Sequence, residues 1–325
     1  MKINKTILLY LILVAFSIFN VQAQKKPSNT ALSCPEAAKY YAKDSINIVT
    51  FGASTVQGVK GFGFQKFLVE HFKNCYSGKT VDITNHGIGG ETTAQGLLRI
   101  NDAIKNRTGF VVVNMGINDA VAITNGKLKI TETEANMRAI IKIVIAKKLI
   151  PIICTLQNVD DRESTINVTV NKHIKSLNTI YRKIASENKI YLANINGALR
   201  SNFALYQDAY HPNERGYKII SFVIFDAINK AIFDNFLQFV VTQNYPNPAN
   251  TFTKLDIVLP EADKIDVQIY DIMGRLVQTV IQDYLNTGKH TLEINTTNMV
   301  PGVYFFKVSS ESGSHNATKK FIVVR

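Results

Sequence analysis

Between residues 46 and 236 the chain alternates short apolar runs with longer stretches of helical spacing, a pattern compatible with few folds. The apolar runs at 46–51, 81–85, 110–115, 150–156 and 190–195 read as strands. Between and after them, 63–74, 92–106, 131–148, 165–188 and 214–233 read as helices. The helix at 131–148 opens on Thr131-Glu132-Thr133-Glu134, read as a capping box, and closes on Lys147-Lys148, which suits the negative end of its dipole. The expected fold class is α/β: a flavodoxin-like three-layer α/β/α arrangement with a parallel five-stranded sheet and right-handed crossovers.

After Val241 the character changes. Asn244-Tyr245-Pro246-Asn247-Pro248 breaks the pattern, and short alternating runs follow at 253–259, 264–270, 275–281, 290–294, 303–308 and 319–324. These predict a small all-β, immunoglobulin-like sandwich of about seven strands. At the other end, Lys2 and Lys5 precede an uncharged apolar run and then Val21-Gln22-Ala23, which reads as a secretory signal peptide cut after Ala23. Gln24 stands where a lipoprotein would need Cys, and no later stretch is long and apolar enough to span a bilayer. The expected division is thus 1–23 signal peptide, 24–241 α/β domain and 242–325 β-sandwich, with no transmembrane segment in the mature protein.

The net charge of +12 is uneven: 243–325 hold eight basic and eight acidic residues, whereas 24–242 hold 27 basic against 17 acidic. Because the cations are scattered, without runs or interleaved aromatics, they read as a solvated face and not as a nucleic-acid site. Three cysteines are too few for a disulfide-built scaffold; Cys34 and Cys75 can pair, and Cys154 reads as a buried free thiol. The histidines His71, His86, His173, His290 and His315 stand singly, so no metal and no cofactor is expected.

Four stretches carry candidate chemistry. Gly52-Ala53-Ser54-Thr55 follows the first strand, so it places a hydroxyl at the carboxyl edge of the sheet, where open α/β sheets bind ligands. Asn85-His86-Gly87-Ile88-Gly89-Gly90-Glu91 follows the second and supplies backbone N–H groups; it lacks the Lys-Ser/Thr of a phosphate-binding loop. Gly116-Ile117-Asn118-Asp119 follows the third, with an Asn amide able to donate to an oxyanion. Asp208-Ala209-Tyr210-His211-Pro212-Asn213 pairs an imidazole with a carboxylate three residues away. Each has a plainer reading alone: a cap, a tight connection, a turn, a surface pair.

Together, in this order and at these strand ends, the four stretches resemble the SGNH hydrolase superfamily, the GDSL esterases and lipases, over roughly 46–233. The family's Gly-Asp-Ser is here Gly52-Ala53-Ser54, with Ala replacing a residue that is not the nucleophile. The resemblance implies a Ser54 nucleophile, a His211 base oriented by Asp208, and an oxyanion hole of Ser54, Gly90 and Asn118. From Gln243 onward, the Asn-Tyr-Pro-Asn-Pro stretch, Tyr270-Asp271-Ile272-Met273-Gly274-Arg275, Pro301-Gly302-Val303-Tyr304-Phe305 and the terminal Lys319-Lys320-Phe321 strand resemble the sorting domain of type IX secretion cargo. That resemblance implies the type IX machinery as partner, and a secreted or surface-attached product.

The expected activity is a serine carboxylic-ester hydrolase acting on an acyl ester, with an acetylated glycan as the preferred substrate class. A lipase or lysophospholipase is the enzymatic alternative, and would call for a long apolar groove near 56–64 or 120–129. A non-catalytic glycan-binding surface protein is the alternative outside enzymes, disfavoured because every catalytic position is filled.

Overall fold

The computed structural model describes residues 33–325, so the expected signal peptide lies outside the described residues. Strands β1 (Ser45–Gly52), β2 (Thr80–Gly87), β3 (Phe110–Asn114), β4 (Ile150–Cys154) and β5 (Tyr191–Ala193) form one parallel sheet in the order β2-β1-β3-β4-β5. This is the flavodoxin-like order, whose crevice opens where the strand order reverses, between β1 and β3. Register matters more than order here. Gly52 at the end of β1 pairs with Gly87 on β2 and with Asn114 on β3, so three loops leave the sheet at one level.

Helices cover both faces because the strands are apolar on both. Ile46, Ile48, Phe110, Val112 and Ile152 bury one face under α2 (Phe64–Cys75) and α8 (Glu214–Asn235). Val49, Phe51, Val111, Val113 and Ile153 bury the other under α3 (Thr93–Ala103), α5 (Ile130–Ala146) and α6 (Thr165–Glu187). Three short helices were not evident in the sequence: α1 (Ser54–Gln57), α4 (Ile117–Thr124) and α7 (Ile195–Leu199). The expected capping box of the fifth helix is displaced. The helix begins at Ile130, and the Lys129 N–H donates to Glu132 Oε2 at 2.7 Å. Thr131 therefore lies inside the helix and does not cap it, and Thr133 is buried and donates to Asp119 Oδ1 at 3.1 Å.

Cys34 and Cys75 are disulfide-bonded. Cys154 is a buried free thiol, pushed far above the ordinary thiol range by burial, so it is inert at neutral pH.

Past α8 the chain forms two antiparallel sheets around one apolar core that includes Ile257, Val267, Phe306 and Phe321. The first has the order β10-β7-β6 and the second β12-β11-β8-β9. Their strands are β6 (Val240–Val241), β7 (Phe252–Leu259), β8 (Asp263–Asp271), β9 (Leu276–Leu285), β10 (Gly288–Asn295), β11 (Gly302–Ser310) and β12 (Asn316–Val323). The seventh strand, β6, pairs with β7 through Val240 and Val241, so this sheet begins two residues before the boundary read from the sequence.

Ile152 is fully buried in β4, within the core on one face of the sheet. Ile152→Ala is expected to cost about 2–5 kcal/mol, measured by denaturant unfolding.

Candidate active site

Ser54 begins α1, directly after β1 and Ala53. The approach of β1 to β3 leaves no room for a side chain just before it. A Cβ at Gly52 would lie 2.2 Å from the Asn114 carbonyl oxygen. The Ser54 turn is pinned further by Gln157, buried after β4, whose Nε2 donates to Thr55 Oγ1 at 2.9 Å.

The loop before α8 delivers the imidazole. His211 Nε2 lies 2.8 Å from Ser54 Oγ, and Nδ1 lies 2.8 and 3.0 Å from the two oxygens of Asp208. Asp208 Oδ1 also accepts the backbone N–H groups of Tyr210 and His211, each at 2.9 Å. An ionised carboxylate only accepts, so the network assigns the proton to Nδ1 and leaves Nε2 to accept from the Ser54 hydroxyl. Partial burial raises the Asp208 carboxyl, but the two backbone donors and His211 outweigh it and hold the group below the ordinary carboxylate range.

Two further loops meet Ser54 around a cavity of about 310 Å³, lined in part by Gly90, Met115, Ile117, Asn118 and Val121. Gly90 has φ +82, a left-handed conformation that glycine adopts without strain, and open space where a Cβ would stand. Among the described residues, neither the Ser54 nor the Gly90 N–H has a protein acceptor. Their neighbours do: the Ile88 N–H donates to Gly52 O at 3.0 Å and the Gly89 N–H to Gln57 Oε1 at 2.9 Å. Asn118 Nδ2 donates to the Glu91 carbonyl at 2.8 Å, which ties the Gly90 loop to α4 and uses one of its two N–H bonds. All five residues singled out in the sequence are therefore brought together.

Three supports were not legible in the sequence. Arg99 on α3 donates to Glu91 Oε2 (Nε, 2.7 Å), His86 O (Nη1, 2.9 Å) and Gly52 O (Nη2, 3.0 Å), with its guanidinium 4.3 Å from the Phe51 ring centroid. It joins the ends of β1 and β2 to the Gly90 loop, yet its spacing of eight from Glu91 gives no local signal. Asp119 is fully buried and accepts from the Thr93 N–H, at 3.0 and 3.2 Å, and from the Thr93 and Thr133 hydroxyls. Burial raises its carboxyl against these hydrogen bonds, and its partners tie α4 to the starts of α3 and α5. Tyr181 Oη donates to Met115 O at 2.8 Å beneath the cavity.

Residues 50–219 match the family model for the GDSL-like lipase/acylhydrolase family, more than half of the chain. The chain belongs to this family. Residues 243–324 match the secretion system C-terminal sorting domain, so the GDSL-like hydrolase carries a type IX sorting tail, which indicates a secreted or cell-surface location. Among the described residues, no helix is long and apolar enough to cross a membrane.

A search of curated protein sequences finds no match. Among solved structures, a lipase/acylhydrolase from Enterococcus faecalis aligns at 20% identity and TM-score 0.51, over 57% of this chain and 96% of that one. A putative GDSL-like lipase from Parabacteroides merdae aligns at 16% identity and TM-score 0.51, over 58% and 97%. A variant of an acetyl xylan esterase from Geobacillus stearothermophilus aligns at 20% identity and TM-score 0.48, over 58% and 96%. The first two likenesses concern the fold.

The Arg99–Glu91 pair is mostly buried, at 20% and 14% side-chain exposure. Arg99→Met would leave Glu91 without its cation and remove the guanidinium's hydrogen bonds to the His86 and Gly52 carbonyls, the second of which keeps the Ile88 N–H. The expected loss is about 3 kcal/mol, read from denaturant unfolding curves.

Proposed function

We propose that this GDSL-like hydrolase cleaves carboxylic esters by acyl transfer through Ser54, His211 and Asp208. The contact between Ser54 Oγ and His211 Nε2 at 2.8 Å carries the reading. As Ser54 Oγ attacks the acyl carbonyl carbon, His211 Nε2 takes the hydroxyl proton, and Asp208 stabilises the imidazolium. The carbonyl oxygen, now an alkoxide, accepts from the Ser54 and Gly90 N–H groups and from the second N–H of the Asn118 amide. His211 then gives its proton to the alcohol oxygen as the carbon–oxygen bond breaks. Water repeats the sequence on the acyl-serine and releases the acid.

The acyl group would occupy the cavity against Met115, Ile117 and Val121. At about 310 Å³ it sits at the small end of ligand pockets, which favours a short acyl chain such as acetyl. Its lining takes Val121 from the stretch 120–129 and nothing from 56–64, so it gives little support to the long groove a lipase would need. A sorting tail fits an enzyme that works outside the cell, where polymers are the ester-bearing material, and an acetylated polysaccharide or oligosaccharide is the substrate class proposed. The signal peptide at 1–23 would supply the first export step.

Ser54→Ala is expected to abolish hydrolysis of p-nitrophenyl acetate while leaving the circular dichroism spectrum unchanged; full retained activity would refute the assignment. Asn118→Ala should slow kcat by ~10²–10³. Wild-type rates should fall in the order acetyl, butyryl, palmitoyl ester.

Asp208 gives a pH expectation. Its carboxyl is held below the ordinary range in the folded protein, so its orienting charge persists until pH falls through that lowered value. Asp208→Asn should cost ~10⁴ in kcat, as expected when the imidazole adopts the wrong tautomer, at every pH from 5 to 8 in a pH–rate profile.

A further inference from the structure

A second cleft, of about 370 Å³, lies against the far side of the Asp208–His211 loop. Its walls include Asp160, Arg162, Glu163, Phe203, Tyr206 and Asp208 itself. The backbone fastens it to the site: the Asp160 N–H donates to Ala209 O at 2.7 Å. One ring separates it from the ester cavity. Tyr210 lines that cavity, and its hydroxyl donates to Asn167 Oδ1, on the wall of the second cleft, at 3.3 Å.

The position is informative. In the acyl transfer described above, the departing alcohol receives its proton from His211 Nε2, so it sits on the imidazole side of Ser54. Asp208 stands one imidazole further on. A group in the second cleft therefore belongs to the alcohol, beyond the oxygen that leaves.

The lining says what kind of group. Phe203 and Tyr206 meet edge to face with centroids 5.4 Å apart, and the Arg162 guanidinium lies 5.4 Å from the Phe203 centroid, an apolar corner beside a cation that suits the mixed C–H and hydroxyl surface of a pyranose. Arg162 is fixed by Asp160 through Nε at 2.9 Å and Nη2 at 2.6 Å, which leaves Nη1 as a fixed donor for hydroxyls. The Gln207 amide N–H groups are taken by Pro212 O at 3.0 Å and Val59 O at 3.4 Å, so it holds the wall in place. Arg162 is the single cation of the lining, against the carboxylates of Asp160, Glu163 and Asp208, a balance that repels uronates and other acidic sugars.

We propose that this cleft is a subsite for a neutral sugar residue next in chain to the acylated one, so that the enzyme prefers acylated oligosaccharides to acylated monosaccharides. The proposal rests on the ester-hydrolase reading of the Ser54 site, and it is tested separately from it. Phe203 and Arg162 lie outside the catalytic machinery. Phe203→Ala and Arg162→Ala should each lower kcat/KM on acetylated xylotetraose about three- to tenfold through KM, with p-nitrophenyl acetate unaffected. Equal losses on both substrates would mean a structural role and overturn the subsite, as would no loss on either.

Binding without chemistry gives the independent readout. Ser54→Ala protein should bind unacetylated xylotetraose in calorimetry, more weakly once Phe203→Ala is added, and should bind tetragalacturonate less well than xylotetraose. Absence of xylotetraose binding, or equal affinity for the two, would overturn the proposal even if ester hydrolysis stands. Failure of the wild type on p-nitrophenyl acetate would instead remove the hydrolase reading.

Discussion

The close passage of β1 over the end of β3 sets the geometry of everything above it. With no side chain at Gly52, the β1 backbone can lie against the Asn114 carbonyl, and the register aligns Gly52, Gly87 and Asn114 across three strands. Each strand then releases its loop at the same height. Ser54 follows from the first, Gly90 from the second and Asn118 from the third. A parallel sheet makes this convergence repeatable, because all its strands end on one edge.

Above that edge the loops are held mainly by charge-assisted hydrogen bonds, which are stronger than neutral ones and fix direction. Arg99 gathers two strand-end carbonyls and the Glu91 carboxylate; Asp119 gathers Thr93 and Thr133. Both sit behind the donors that face the cavity. In the proposed acyl transfer, the unpaired N–H groups of Ser54 and Gly90 would thus be held ready for an oxyanion before a ligand arrives, the preorganisation on which such stabilisation depends.

Much of this was legible in the sequence because its signals are local. The five strands and five long helices follow from apolar periodicity, and their observed ends differ from the expected ones by a few residues. The site residues were legible for another reason: four short stretches each sit just past a strand or just before a helix. What could not be read depends on contacts between distant segments. Thr131 was read as the head of a capping box, but the helix starts at Ile130 with Lys129 before it, and the buried carboxylate of Asp119 claims the hydroxyl of Thr133. Asn118 was read as an amide donor, with a turn as the plainer reading for it and Asp119, yet both lie in the first turn of a helix whose preceding Gly116 has φ +130. Arg99 looks like any surface cation on α3 until the fold brings Gly52 and His86 beneath it.

The short strand β6 has a mechanical consequence. Four residues, 236–239, connect α8 to it, and it is hydrogen-bonded into the sheet of the C-terminal sandwich through Val240 and Val241. A peptide bond cut at residue 242 would leave those two valines attached to the catalytic layer and still laddered to β7. Scission and separation are then distinct events, the second requiring that a piece of main chain be peeled from its neighbour.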